Sequence, residues 1–192
     1  MAVREGFLVL LLAGDHYGFR LHSEWIRRTG GRRQLNVGQS YATIDRLQAA
    51  GLVETRGATE DGLELFGLSD SGTQAALAWL SGAHSPGANP WDESVERVLL
   101  TLSLPALHPD ITAESLLDAE AERWRHAALS MTDADAVAVE AALAHNAQAA
   151  AMIDWLHALG ERYRHSPDTY ALEFSTERPR RGRPRSRSST AS

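Results

Sequence analysis

Residues 36–69, NVGQSYATIDRLQAAGLVETRGATEDGLELFGLS, leave the chain few folds to choose from. Asn36 is a helix cap, and Gln39 stands three residues on, where a capping-box partner reaches back. Ile44 and Leu47 share one face with Tyr41 beside them, which gives an inward stripe. Gln39, Ser40, Thr43 and Arg46 take the remaining faces. Gly51 stops the helix as a left-handed residue does. Residues 52–56 and 63–68 then read as short strands joined by the turn-rich GATEDG. A helix, a Gly stop and a hairpin, in that order, follow the plan of a winged helix-turn-helix.

The flanking sequence fits that plan. Residues 3–13 form a first helix with Val3, Phe7, Leu10 and Leu11 on its core side. Gly14-Asp15-His16 turns the chain into a second helix over 17–28. There Phe19, Trp25 and Ile26 face the core, and Arg20, Arg27 and Arg28 face water or phosphate. Arg32 and Arg33 add charge before the third helix. Ser69 caps a fourth, over 70–80. The winged unit covers residues 1–81, and 82–90 form a linker rich in Gly and Pro.

A helical domain over 91–166 follows. Its first helix, 91–104, carries Val95, Val98, Leu99 and Leu102 on one face and breaks at Pro105. Thr112 caps a second, reaching about Met131 with Leu117, Ala121, Trp124 and Ala128 in a stripe. Thr132 and Asp135 open a third, Ala-rich helix to about His165, where Met152, Leu156, Leu159 and Tyr163 make a pairing seam. Residues 175–192 are Ser, Pro, Gly and Arg with almost no apolar mass, which predicts a disordered tail. The fold class is therefore mainly α with a small β-hairpin wing: an N-terminal winged helix-turn-helix plus a C-terminal helical domain.

Charge sorts these regions. The chain of 192 residues has a net charge of −6 and no Lys. Residues 1–56 hold 8 Arg against 5 acids, residues 57–177 hold 5 Arg against 20, and residues 178–192 hold 6 Arg and no acid. Basic ends around an acidic middle imply that only the ends meet polyanions. There is no Cys, which excludes disulfides and thiolate metal sites and fits a cytoplasmic compartment. Arg4 followed by the apolar run 7–13 imitates a signal peptide, but the run is short and Gly14-Asp15-His16 is a poor cleavage site. No segment is long enough to span a bilayer.

Over roughly the first 80 residues the chain resembles the PadR family of transcriptional regulators. The resemblance is carried by Leu8–Leu12 and Gly14, Tyr17-Gly18-Phe19, Val37-Gly38, Tyr41-Ala42-Thr43-Ile44 and Arg46-Leu47. It continues through Ala50-Gly51-Leu52-Val53 and Phe66-Gly67-Leu68-Ser69 to Gly72. The resemblance implies a homodimer that binds double-stranded DNA through two copies of the third helix, commonly as a repressor on a near-palindromic operator. It also implies a small aromatic effector near the dimer interface, for which Trp124 and Trp155 are the candidates. Aromatic residues at helical spacing otherwise belong to the core. The apolar stripes of the C-terminal helices, too many for one thin layer to bury, independently favour a dimer interface there.

For DNA, the candidates are Gly38, Gln39, Ser40, Tyr41, Thr43 and Arg46 on the third helix, with Arg56 on the wing. The free N–H groups of the helix start suit a phosphate, and Gly38 lets the backbone approach it. Gln39, Ser40 and Thr43 have the chemistry to reach base edges or phosphates. The resemblance assigns the Tyr41 hydroxyl to a phosphate, or the ring to bracing the helix against the wing. Three positions depart from the family pattern: Asp45, the acidic wing tip with Glu60 and Asp61, and Gly67 where a cation is frequent. They support an alternative, a winged-helix protein-interaction module without DNA binding. Missing wing charge is supplied by the tail, where Arg181-Gly182-Arg183-Pro184 resembles the core of an AT-hook and places Arg181 and Arg183 in a minor groove. No GxSxG, HExxH or phosphate-binding loop is present, so neither an enzyme nor a cofactor is expected.

Overall fold

The computed structural model describes residues 3–104, 107, 109, 111–128 and 135–176. The chain opens with α1 (Val3–Leu12), a two-residue strand β1 (His16–Tyr17), α2 (Gly18–Arg28) and α3 (Val37–Ala49). The wing follows as β2 (Val53–Ala58) and β3 (Glu64–Leu68), then α4 (Asp70–Leu80). β1 is a correction to the turn read from sequence. His16 pairs with Phe66 and Tyr17 with Leu65, giving an antiparallel sheet of order β1-β3-β2. Two residues carry no periodicity, so only the partner strand reveals them as a strand.

The local signals around α3 hold. Asn36 Oδ1 accepts from the Gln39 N–H at 2.8 Å, and the Asn36 N–H donates to Gln39 Oε1 at 3.1 Å. At the far end the Leu52 N–H donates to the Leu47 carbonyl and the Gly51 N–H to that of Gln48. This is a Schellman closure, and it requires a left-handed residue: Gly51 has φ 67°. The helix thus has a fixed start and a fixed stop, and the wing departs from it at a defined angle.

Beyond the linker come α5 (Pro90–Ser103), α6 (Ala113–His126) and α7 (Ala136–His165), then a 3-10 turn at Pro167–Thr169. α5 begins on Asn89, whose side chain accepts from the Trp91 and Asp92 N–H groups. It ends at Leu104, whose extended backbone is the conformation favoured before proline. α6 stops at His126 rather than near Met131, and Ala128 is exposed outside it. α7 starts on Asp135, which accepts from the Ala138 N–H at 2.8 Å; Thr132 lies outside the described residues.

One expectation about these helices is corrected. α5 is not amphipathic: Glu93, Ser94, Glu96 and Arg97 are buried along with Val95, Val98, Leu100 and Leu102. It packs against α1 and α2, so a single apolar core runs through both halves of the chain. The seam of Met152, Leu156 and Leu159 on α7 is buried within the chain, where α7 packs on α6. The stretch of α7 from Ala136 to Gln148 is different. Ala142 is its one buried residue, and Val137 and Leu143 stand exposed at 80% and 44%.

Candidate nucleic-acid interface

α3 has a buried side and a bare side, and the division differs from the expected one. Ser40 is fully buried and Thr43 nearly so, together with Ile44 and Leu47. Ser40 Oγ lies 2.9 Å from His22 Nδ1 on α2, and Thr43 Oγ1 donates to the Gln39 carbonyl at 2.8 Å. Both hydroxyls are satisfied internally, so neither is available to a base edge. The spacing explains it: Ser40 precedes Ile44, and Thr43 precedes Leu47, by one helical turn, which puts all four on one face. A reading by hydrophobicity alone sends the two hydroxyl residues outward.

The bare side carries Val37, Gly38, Gln39, Tyr41, Asp45 and Arg46, all exposed. Val37, Tyr41 and Asp45 follow each other at four-residue steps, a line along the helix that the sequence reading missed for Val37. Tyr41 is 42% exposed, yet its ring has a seat. A Cβ on Gly18 would come within 2.6 Å of the ring, so glycine at the start of α2 is what lets Tyr41 lie across it. The ring is braced by α2 rather than by the wing. Gln39 is occupied at one end, since its side-chain oxygen closes the capping box. Gly38 is exposed in the first turn, where backbone N–H groups have no helical partner.

The wing joins α3 through Gln48 Nε2, which donates to Thr55 Oγ1 at 3.2 Å, and Thr55 in turn donates to Glu64. Arg56 sits at an irregularity in the β2–β3 register, between Thr55 and Gly57. Its guanidinium folds back, donating to the Leu68 carbonyl at 2.7 Å and pairing with Glu54 at 3.3 Å. Gly67 makes room for this: a Cβ there would meet Arg56 Cγ at 2.6 Å and the Asp15 carboxylate at 2.3 Å. At the tip, Thr59 binds Asp61 and the chain turns at Gly62.

Most arginines expected at this surface are engaged elsewhere. Arg32 and Arg33 pair with Asp92 on α5 at 3.0 and 2.9 Å, and Arg33 also pairs with Glu96. Arg28, expected to face water or phosphate, is buried on Glu24 and on the carbonyls of Ser103 and Leu172. Arg27 binds Glu24 and the Glu173 carbonyl. Arg4 pairs with Glu5, and Arg20 lies over the Phe174 ring. Among the described residues 3–56, Arg46 is the one arginine with no ion pair, hydrogen bond or ring partner. Arg181 and Arg183 lie outside the described residues.

A cavity of about 270 Å³ opens between the linker, α5, α6 and α7, lined by His84, Ser94, Arg123, Trp124, His145 and Gln148 among others. Its volume is near the lower limit for small-ligand clefts. Trp124 forms part of its wall, with the indole N–H donating to Ser94 Oγ at 3.0 Å and Trp91 edge-on at 6.1 Å. Trp155 is half-buried and does not line it. The same wall carries part of a buried ionic cluster. Glu120 binds Arg97, Arg123 and Ser94, and Arg97 stacks on Trp79 at 4.8 Å. Burial alone would raise the Glu120 carboxyl, but the two guanidinium groups outweigh it and hold it low. Glu93 accepts from the Trp79 indole, the Ser85 N–H and hydroxyl, and His84. Burial raises this carboxyl too, and those donors overcome it, bringing it from 4.5 to about 2.

The described elements, three helices, a β-ribbon and a closing helix, define a winged helix-turn-helix fused to a helical domain. No protein-family model and no curated protein matches the chain. Solved structures do. The chain is similar to Bacillus subtilis PadR in complex with operator DNA, with 17% identity and a TM-score of 0.40, over 84% of this chain and 99% of that one. PadR alone gives 18%, 0.37, 84% and 94%. PadR in complex with p-coumaric acid gives 16%, 0.37, 84% and 98%. With likenesses this loose, the functional reading rests on the geometry of the chain itself. Among the described residues no group of His, Asp and Glu is arranged to hold a metal ion, and no helix is long and apolar enough to cross a membrane.

Proposed function

We propose that this chain is a cytoplasmic, sequence-specific DNA-binding transcriptional regulator of the PadR type, acting as a homodimer and as a repressor. The observation that carries the reading is the two-sidedness of α3. One side is locked into the core by Ile44, Leu47 and two satisfied hydroxyls. The other side is bare along its length and shows a single carboxylate, Asp45. A rod of this kind, with the Val37 and Gly38 N–H groups of its first turn left uncapped, fits the major groove. Tyr41, Arg46, Gln39 and the backbone at Gly38 are its DNA contacts, and Ser40 and Thr43 position it from behind.

Two copies are needed to read a near-palindromic site. The exposed start of α7, with Val137 and Leu143, is the surface we assign to the pairing. The cavity beside Trp124 is the site we assign to a small aromatic effector that releases the repressor; Trp155 is set aside because it is not part of the wall. We assign the winged unit to 1–81, the linker to 82–90, whose last residue Pro90 already opens α5, and the helical region to 91–166.

An electrophoretic shift on the DNA directly upstream of the protein's own gene tests the reading. Retarded complexes that survive non-specific competitor support it; none at micromolar protein removes it. A second reading is favoured by one observation: Val37 and Tyr41 are exposed apolar residues beside Asp45, with Glu60 and Asp61 at the wing tip. Such a surface suits a protein partner, and the absence of any shift would select it.

A further inference from the structure

Two ionic joints tie the winged unit and linker to α5, and they are built differently. At the first, Arg97 is fully buried, binds Glu120 and the Ala83 carbonyl, and stacks on Trp79. At the second, Asp92 is 34% exposed and takes two arginines at once. Its Oδ1 accepts from Arg32 at 3.0 Å, and its Oδ2 meets Arg33 at 2.9 Å. Glu96, one turn further along α5, accepts from Arg33 Nε through Oε1. The other Glu96 oxygen is buried with no hydrogen-bond partner among the described residues. Burial pushes this carboxyl above its usual range, and Arg33 opposes that only in part.

The second joint is the one that can open. A pair this exposed holds weakly, because water and salt compete for both charges. Breaking it returns Arg32 and Asp92 to solvent, whereas opening the first joint strands Arg97 in the core. The released arginines start beside the DNA contacts assigned above. Arg33 precedes Asn36, the cap of α3, by three residues, at most about 10 Å of chain. Arg33, Asn36 and Gln39 line one open cleft at the start of α3. A guanidinium freed there stands at the helix end that favours phosphate, and its planar fork matches phosphate oxygens. α5 is also the helix whose Pro90 and Ser94 wall the cavity beside Trp124, so the same two turns carry both features.

We propose that Arg32 and Arg33 are phosphate-binding residues held in reserve by Asp92 and Glu96. The four form an autoinhibitory latch, closed in this structure, that sets how much charge the winged unit offers a duplex. The proposal deepens the DNA-binding reading and rests on it. With the latch closed, Arg46 is the one unpartnered arginine among the described residues 3–56; with it open there are three. Each added phosphate contact releases counterions and steepens the salt dependence of binding.

The test is an anisotropy titration of a fluorescein-labelled duplex covering the DNA directly upstream of the protein's own gene, at several salt concentrations. The full chain is compared with Asp92→Asn and with Asp92→Asn plus Glu96→Gln. The same changes are also made on an Arg32→Gln, Arg33→Gln background, which keeps a donor in place for Glu96, and read against that background alone. The expected result is binding tighter by about threefold for Asp92→Asn and about tenfold for the pair, with the salt dependence steeper by about one and about two phosphate contacts. Both gains vanish once the arginines are gone. Asp92 lies at the surface, so its variant stands even where Glu96→Gln disturbs packing. Equal tightening with and without the arginines overturns the latch, since only a negative charge would have been removed. Unchanged or weaker binding by Asp92→Asn also overturns it, since the ion pairs would then merely position α3. No binding by the full chain at low salt overturns the DNA reading and the latch with it.

Discussion

α3 and α5 are nearly equal in length and differ in what surrounds them. α3 buries Ser40, Thr43, Ile44 and Leu47 and leaves the rest open. α5 buries ten of its fourteen residues, charged ones included. The first is a helix with one side reserved for something outside the chain. The second is the helix on which both halves of the chain close: it packs on α1, α2 and α6, pairs with Arg32 and Arg33 from the winged unit, and meets Glu120 from the helical one. The comparison shows where the cations go. The basic balance of residues 1–56 reads as a DNA surface in sequence, yet Arg32 and Arg33 neutralise carboxylates of α5, and Arg27 and Arg28 pair with Glu24 within α2.

The largest expected effect breaks the α5 side of the comparison. Glu120→Ala takes from Arg97, which is fully buried, its shorter ion pair, leaving it Glu93 at 3.9 Å and the Ala83 carbonyl, and removes a partner from Arg123. Losing one member of a buried pair costs about 3–5 kcal/mol. Urea unfolding is the check, and a change under about 1 kcal/mol would mean that the cluster is open to water.

Next comes the pH dependence at His16, whose ring lies 4.3 Å from that of Phe174. Burial, reinforced by the Arg20 charge, lowers His16 from 6.5 to about 4. An unfolded His takes up its proton first as pH falls. The stabilising contribution is therefore complete above pH 6.5 and is lost on the way down to about 4. The slope reaches at most about 1.4 kcal/mol per pH unit for one group. The His16 ring resonances followed by NMR should titrate near the lower value; a midpoint close to 6.5 would mean the ring is solvated and Phe174 does not cover it.

These two regions were not equally legible. Asn36, Gln39, Gly51 and the hairpin announce α3 and the wing, because caps, stops and alternation are local. α5 hides its role, since Glu93, Glu96 and Arg97 look like a solvated face until their partners at Ser85, Arg33 and Glu120 are known. Phe174 and Ser175 are hidden for the same reason: they meet His16 and α2, some 150 residues earlier in the chain. Ser40 and Thr43 fall between. Their position one turn ahead of Ile44 and Leu47 was visible, but hydroxyl residues are not counted in an apolar stripe.

Smaller effects sharpen the α3 side. Tyr41→Ala removes an exposed ring that spans Gly18, so it should weaken DNA binding by about tenfold, some 1.4 kcal/mol, with little change in Tm. Ser40→Ala should do the reverse. It leaves His22 Nδ1 without its partner and costs about 1 kcal/mol of stability, while affinity at constant folded fraction stays within a factor of about two. If Ser40→Ala abolished binding and Tyr41→Ala did not, the assignment of the two sides of α3 would be wrong.

The smallest effect concerns the wing. Arg56 is the cation that a winged helix would present to phosphate, and here it is spent on Glu54 and the Leu68 carbonyl. Reaching a duplex means giving up both, in exchange for one screened phosphate contact. The exchange is close to even, because exposed ion pairs are worth about 0–1 kcal/mol. Arg56→Ala should therefore weaken binding by no more than about threefold, with the salt slope barely altered. A loss beyond about tenfold would show that the guanidinium swings out on binding, that the wing supplies phosphate charge, and that Gly67 serves to free Arg56 rather than to hold it.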